Sequence, residues 1–243
     1  MIRRAQKLFR ILTRGLYRKA LLLYRVPATS EHDSILSNVG KGITYVIDIG
    51  ANRGQFALAA RSSFPKAKII SFEPLVEAQK VFSKVFKDDP NVLMIPFALG
   101  KTEGSTKMHV ALADHSSSLL PISTSLTTLF PIAEEKECRD VQVFSLSHFI
   151  KNEEIPENSL LKMDVQGYEL EVLEGCESLI NKFKFCYIEC SFIELYVGQA
   201  LAHQVISWCE KHNFRLTGIY DLYYDKTGKA IQGDFFFSNL NQQ

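Results

Sequence analysis

From Tyr45 onward the chain reads as short apolar runs separated by helix-length segments, and this alternation constrains the fold more than any other feature. The runs Tyr45–Ile49, Lys68–Phe72, Val92–Phe97, Leu160–Asp164, Phe185–Cys190, Phe214–Tyr220 and Asp234–Phe237 have strand length. Between them Gln55–Ser62, Leu75–Phe86, Glu169–Cys176 and Leu201–His212 have helix length. Such alternation predicts an α/β domain with a mostly parallel sheet. The first strands are almost unbroken apolar runs, as expected where helices cover both faces. Residues 101–150 break the rhythm with a hairpin-like stretch and the segment HSSSLLPISTSLTT. They read as an insertion, because they hold too few apolar residues for a core of their own.

The composition, 46% hydrophobic and 23% charged over 243 residues, excludes a disordered or low-complexity chain. No apolar run approaches the roughly 20 residues of a membrane-spanning helix. A net charge of +1 gives no general case for binding nucleic acid. Residues 1–25 nevertheless carry eight basic residues and no acid, leaving 20 basic against 27 acidic residues in the remainder. On a helical wheel Ile2, Ala5, Leu8, Phe9, Leu12, Leu16, Ala20 and Leu23 share one face, with Arg3, Lys7, Arg10, Arg14, Arg18 and Arg25 opposite. The expectation is a basic amphipathic helix over residues 1–26, followed by one domain over 27–243. That helix can lie on an anionic membrane surface, or pack on its own domain or a twin subunit. The five cysteines form no CxxC pair and read as buried, reduced thiols of a cytoplasmic protein.

The strongest local signal is YVIDIGANRGQF, residues 45–56. A buried strand carries Asp48, and Gly50, Ala51, Asn52 and Gly54 then turn the chain into a helix. Small residues here let a ligand approach the backbone. The second strand ends in SFEP, placing Glu73 where an acid can accept hydrogen bonds from both hydroxyls of a ribose. The dinucleotide fingerprint GxGxxG is not met, since Gly50 and Gly54 leave only GxxxG.

DIGANRGQF, SFEP, NVLMIPFALGKTEG, LLKMDVQGYELEVLEG and YIEC occur in that order. Together they resemble the FkbM family of S-adenosylmethionine-dependent methyltransferases over most of the chain. The resemblance implies a class I, Rossmann-like methyltransferase fold: a seven-stranded, mostly parallel sheet with its last strand antiparallel and helices on both faces. It implies S-adenosylmethionine as cofactor. Asp48, Gly50, Ala51, Asn52 and Gly54 match the first motif, Glu73 and Pro74 the ribose-binding segment, and Ala98 and Leu99 the strand exit beside adenine. It further implies O-methylation of a hydroxyl on a sugar or related acceptor. The opening LLLYRVPATSEHDSIL is similar to members from bacterial polysaccharide gene clusters, where the acceptor is a glycan or lipid-linked sugar at the inner face of the membrane.

Methyl transfer to oxygen is an in-line displacement, and a sugar hydroxyl needs a base or a cation to activate it. Asp164 ends a strand and faces the carboxyl ends of the sheet, and Gly167 permits a tight turn after it. An N-cap is the structural alternative for Asp164. Glu189, in an apolar strand, must be paired or functional, with an ion pair to Lys162 as one solution. Asp164 and Glu189 together offer oxygen ligands to Mg2+, though two acids make a thin site. His115, before Ser116–Ser118, is a loop histidine able to take a proton at neutral pH.

Two other functions share these features. An NAD-linked oxidoreductase uses a similar turn, but the third glycine and a Tyr-x-x-x-Lys relay are missing. A non-catalytic, membrane-docked subunit would keep the fold and dispense with the cofactor. The oligomeric state and the identity of the acceptor are not encoded in any motif.

Overall fold

The computed structural model of the protein describes residues 11–39 and 42–242. Seven strands form a mostly parallel sheet and three more form a small second one. The chain divides into two compact units, Met1–Pro96 and Phe97–Gln243.

The first unit runs α1 (Gly15–Tyr24), α2 (Asp33–Val39), β1 (Tyr45–Ile49), α3 (Gln55–Ser63), β2 (Lys68–Phe72), α4 (Val76–Val85) and β3 (Val92–Ile95). Strands β1 and β2 pair in parallel from Tyr45↔Lys68 to Ile49↔Phe72, and β3 continues beyond β2. Every residue of β1 is buried, Asp48 included, as the nearly unbroken apolar run predicts. β3 stops at Ile95, two residues before its predicted end, where Pro96 has no N–H to give to a ladder.

The basic N-terminal helix differs from expectation. Its first ten residues, including Ile2, Ala5, Leu8 and Phe9, lie outside the described residues. Within them the helix is interrupted at Arg14, whose backbone is extended (φ −93°, ψ 120°) before Gly15. The face that packs is set by Tyr17 and Ala20, at 0% and 2% exposure. The Tyr17 hydroxyl donates to Asp33 Oδ1 at 2.5 Å, and Arg14 donates to both Tyr17 Oη and Ser62 Oγ. Leu12 and Leu23, expected on the apolar contact face, are instead exposed at 43% and 64%, together with Leu22 at 68%. A wheel that scores only aliphatic side chains places the face wrongly when a tyrosine supplies both area and a hydrogen bond.

The second unit runs β4 (Ala98–Leu99), β5 (Gly104–Ala111), α5 (Thr124–Leu129), β6 (Glu135–Phe144), α6 (Leu146–Phe149), β7 (Ser159–Met163), α7 (Glu169–Gly175), α8 (Glu177–Ile180), β8 (Phe185–Ser191), α9 (Ala202–Lys211), β9 (Phe214–Tyr224) and β10 (Ala230–Asn239). The large sheet has the order β3-β2-β1-β7-β8-β10-β9. β7 and β8 are parallel, while β10, the last strand, is antiparallel to both β8 and β9. The second sheet, β4-β6-β5, is where residues 98–144 depart from the rhythm. Here β5 and β6 pair antiparallel from Gly104↔Val143 to Ala111↔Glu135. β6 alternates exposed and half-buried side chains, so one face meets solvent. The Ser/Thr-rich segment forms α5, capped by Ser123 Oγ accepting from Leu126 N–H. Leu126 and Ala133 join Leu195, Tyr196 and Ile231 in a small apolar cluster.

Four of the five cysteines are buried, as expected, but Cys138 on β6 is exposed. Burial pushes the Cys176 thiol up to about 12, which leaves it protonated and inert. Among the described residues no helix is long and apolar enough to cross a membrane.

Candidate functional site

In the first unit the turn after β1 carries the first motif. Gly50 (φ 80°), Asn52 (φ 46°) and Gly54 (φ 91°) all take left-handed backbone. Asparagine tolerates that region and glycine is unhindered in it, which accounts for the residue types in GANRG. The turn's amides form a closed account. Gly50 N–H and Ala51 N–H both donate to Phe72 O at 3.0 Å, and Gly54 N–H donates to Ala51 O at 2.8 Å. Asn52 N–H donates to Glu73 Oε2 at 2.9 Å, and Arg53 N–H donates to Asn52 Oδ1 and Gln55 Oε1. Each N–H from Gly50 to Gly54 is thus committed within the protein.

That account decides between ligand classes. A dinucleotide turn works by aiming backbone N–H groups at a pyrophosphate. These N–H groups are used internally, while the side chains brought to the turn are carboxylates. Asp48, 1% exposed near the end of β1, accepts from Ser71 Oγ at 3.3 Å. Glu73, 5% exposed after β2, accepts from Asn52 N–H and, through Oε1, from Leu75 N–H at 2.8 Å. A carboxylate offers about four lone-pair positions, enough for hydroxyls as well as backbone donors. Acids around a turn whose backbone amides are all bonded within the protein suit a ribose and a cationic group better than a pyrophosphate cradled by those amides.

Gly54 is required by packing as well as by conformation: a Cβ on it would lie 2.6 Å from Phe86 and 2.9 Å from Phe82, the ring pair at the end of α4. Ala98 and Leu99, beyond the end of β3, form β4, paired in parallel with Val143 and Phe144 of the second sheet. Pro74, half-buried, separates Glu73 from the Leu75 N–H that it accepts.

In the second unit a polar cluster forms where β7 and β8 end. Asp164, just past β7, has a side chain 39% exposed. Glu189 lies inside β8. The structure joins them through a residue absent from the sequence expectations: Gln166 Nε2 donates to Asp164 Oδ1 and to Glu189 Oε2, each at 2.7 Å. Glu189 Oε1 accepts a second amide proton, from Gln232 Nε2 at 3.0 Å. Burial first, then the charges of Asp164 and Asp234, hold the Glu189 carboxyl well above the usual carboxylate range, against the opposing effect of Lys162. Lys162, 2% exposed, makes its ion pairs with Asp164 at 3.7 Å and Asp234 at 3.9 Å. The expected Lys162–Glu189 pair is thus replaced by amide bonds to Glu189.

The same arrangement bears on Mg2+. The position between the two carboxylates holds an amide NH2 bonded to both, so a cation bridging them would have to displace the Gln166 amide. The pair as arranged does not fit a metal.

Glu169, in the first turn of α7, is 2% exposed. Its Oε1 accepts from Val165 N–H at 3.2 Å and Gly167 N–H at 3.1 Å, which pins the turn after β7. Burial pushes its carboxyl up to about 7. His115 lies in a single 3-10 turn, Asp114–Ser116, with an exposed side chain. Its neighbours make the tie to the cluster: Tyr196 Oη donates to Ser116 O at 2.9 Å and Ser118 Oγ donates to Gln166 O at 2.7 Å. Asp164 and Glu189 are therefore brought together, and the bonds of the 115–118 loop run through its serines rather than the imidazole.

Comparison with known proteins agrees with this chemistry. The methyltransferase FkbM domain matches residues 48–216. A 2-O-methyltransferase, NoeI, of Sinorhizobium fredii is 27% identical over 183 residues, covering 72% of this chain and 75% of that protein. The hexuronic acid methyltransferase AglP of Haloferax volcanii is 25% identical over 142 residues, 58% of this chain and 54% of that one. In fold the chain is similar to a putative rRNA methylase of Clostridium thermocellum, with TM-score 0.50 and 8% identity over 87% of this chain and 94% of the other. With the first motif, the acid after β2 and the cluster after β7 all inside the matched span, the chain belongs to the FkbM methyltransferase family and is an enzyme that uses S-adenosylmethionine as methyl donor.

Proposed function

We propose that the enzyme methylates a hydroxyl oxygen of a sugar. The observation that carries this reading is the likeness, across about 70% of the chain, to a relative named as a 2-O-methyltransferase, joined by one named for hexuronic acid. Bound S-adenosylmethionine supplies a methyl carbon activated by a positive sulfur. On this reading Asp48, Gly50, Ala51, Asn52 and Gly54 hold the methionine end of the donor, and Glu73 takes the ribose hydroxyls. Asp164, the more accessible member of the acid cluster, accepts the proton of the acceptor hydroxyl; Glu189, half-buried and bonded to two amides, is suited to holding Asp164 in place rather than to meeting substrate. The exposed His115 is a second proton acceptor for a loop that reaches the acceptor. The test incubates the protein and labelled S-adenosylmethionine with methyl glycosides of hexoses and hexuronic acids and with extracted surface glycans, read by mass. Gain of one CH2 on a glycan supports the reading; transfer only to non-carbohydrate acceptors refutes it.

We also propose that residues 1–26 act as an arm on the 27–243 domain and bring it to an anionic membrane surface, where lipid-linked sugars are found. Support comes from eight basic residues without an acid in residues 1–25, and from Leu22 and Leu23 exposed on α1 beside Arg18 and Lys19. Flotation with phosphatidylglycerol vesicles tests it: intact protein should float and Leu22→Ser/Leu23→Ser should not. Equal behaviour of the two refutes it.

A further inference from the structure

The turn after β7 contains a residue that no expectation singled out and whose side-chain polar atoms are both engaged. Gln166 has left-handed backbone, φ 55°, unusual for a residue with a long side chain. Its conformation is held from several directions. Gly167 follows, also left-handed at φ 98°, and a Cβ there would meet Gln199 and Tyr196 at 3.0 and 3.1 Å. Val165 and Gly167 N–H groups both end on Glu169, and Gln166 O accepts from Ser118 Oγ. The strained backbone aims the side chain at one place.

There the carboxamide is oriented unambiguously. Tyr196 Oη donates to Gln166 Oε1 at 2.7 Å, sharing its single proton with Ser116 O. This fixes the oxygen on the tyrosine side and leaves both Nε2 protons for the two carboxylates, one each. Of those carboxylates Asp164 has a side chain 39% exposed, while Glu189 is half-buried and bonded a second time by Gln232. The charged groups facing Asp164 within this unit are Lys162 from β7, Glu189 from β8, Asp234 from β10 and Glu169 from α7.

We infer that Gln166 is a positioning residue for methyl transfer: its carboxamide, oriented by Tyr196, locks Asp164 as an ionised proton acceptor and keeps Glu189 from sharing that role. This rests on the proposed sugar acceptor for its chemistry. In the step itself the acceptor hydroxyl gives its proton to Asp164 and its oxygen lone pair forms the bond to the methyl carbon. The carbon–sulfur pair returns to sulfur, leaving neutral S-adenosylhomocysteine and a protonated Asp164. A donor bonded to Asp164 Oδ1 keeps the other oxygen turned to the incoming proton.

The first test needs no acceptor. Protein labelled with 13C-carboxyl aspartate is titrated by isotope-edited infrared spectroscopy, with Asp164→Asn assigning the Asp164 band. Gln166→Glu, which puts a third carboxylate where the shared donor was, should raise the Asp164 midpoint by about one pH unit or more. Tyr196→Phe keeps the ring in its apolar cluster, removes only the hydroxyl, and should move the midpoint in the same direction by less. Calorimetry with S-adenosylhomocysteine should stay within about twofold of wild type for both, since neither belongs to the first motif. An unmoved midpoint in both variants, with donor-site affinity intact, overturns the inference; if Gln166→Glu does not fold, Tyr196→Phe decides alone. The second test is the pH profile of kcat on the glycoside found active above. Its acid limb should move with the infrared midpoint while KM for S-adenosylmethionine stays fixed. A limb that stays put while the midpoint moves also overturns it. Absence of turnover by wild type counts against the acceptor assignment and leaves the infrared midpoints to decide this one.

Discussion

Glu169 gives a sharp prediction on stability. It is 2% exposed, and its carboxyl, raised chiefly by burial and less by the Asp164 charge, stands at about 7 against an ordinary value of 4.5. In the unfolded chain it returns to the ordinary value. Between the two the folded protein binds a proton that the unfolded chain has released. Stability therefore falls as pH rises from about 4.5 to about 7 and is level on either side. At about 1.4 kcal/mol per pH unit, that fall is about 3 kcal/mol. Glu169→Gln keeps an oxygen to accept from the Val165 and Gly167 N–H groups and cannot ionise. Urea unfolding of both proteins across this range is the assay. The stability of the variant relative to wild type should grow by about 3 kcal/mol from acid to neutral pH, whatever its offset at low pH. Parallel stability curves would show that Glu169 titrates at its ordinary value in the fold and refute the reasoning.

Glu73→Gln loses one of two charge-assisted bonds and turns an NH2 toward a backbone N–H, which should cost about 2–4 kcal/mol and lower Tm by about 5–15 °C; scanning fluorimetry that finds no change would mean the carboxylate is not tying Asn52 to Leu75. In the same variant, calorimetry should find S-adenosylhomocysteine bound at least about tenfold more weakly, or the ribose assignment is wrong. Gly54→Ala places a methyl on the Phe82–Phe86 pair and forces left-handed backbone on alanine, so denaturant unfolding should show a loss of about 2–4 kcal/mol. Tyr17→Phe strips the Asp33 carboxylate of a buried donor; a loss of about 1–3 kcal/mol in unfolding, with protease cutting near α1 accelerated, would be the signature of a docked helix, and unchanged proteolysis would speak against it.

The sequence was most legible where one force dominated. β1 and β2 were found to the residue because their side chains are almost all buried and the apolar runs are nearly continuous. β6, EKECRDVQVF, hid because one face meets water and its charged side chains dilute the pattern, although it pairs with β5 along most of its length. The first-motif turn was recognised by its glycines, yet the reason for Gly54 is a pair of phenylalanines about thirty residues away, which no local reading contains. Tyr17 was overlooked for a related reason: its partner, Asp33, lies in the next helix. Gln166 is the clearest case. A search for ionisable groups picks out Asp164 and Glu189 and passes over the uncharged amide that links them. A left-handed glutamine before a left-handed glycine was the only local hint, and backbone angles are not written in composition.

The closed hydrogen-bond account of the turn after β1 has a consequence for how the donor is taken up. Since each amide there is bonded within the protein, association of the donor need not drive any disorder-to-order transition of the loop. Exchange of spent donor for fresh should then proceed without remodelling this wall, and its backbone amides should exchange with deuterium equally slowly whether or not a nucleoside is present.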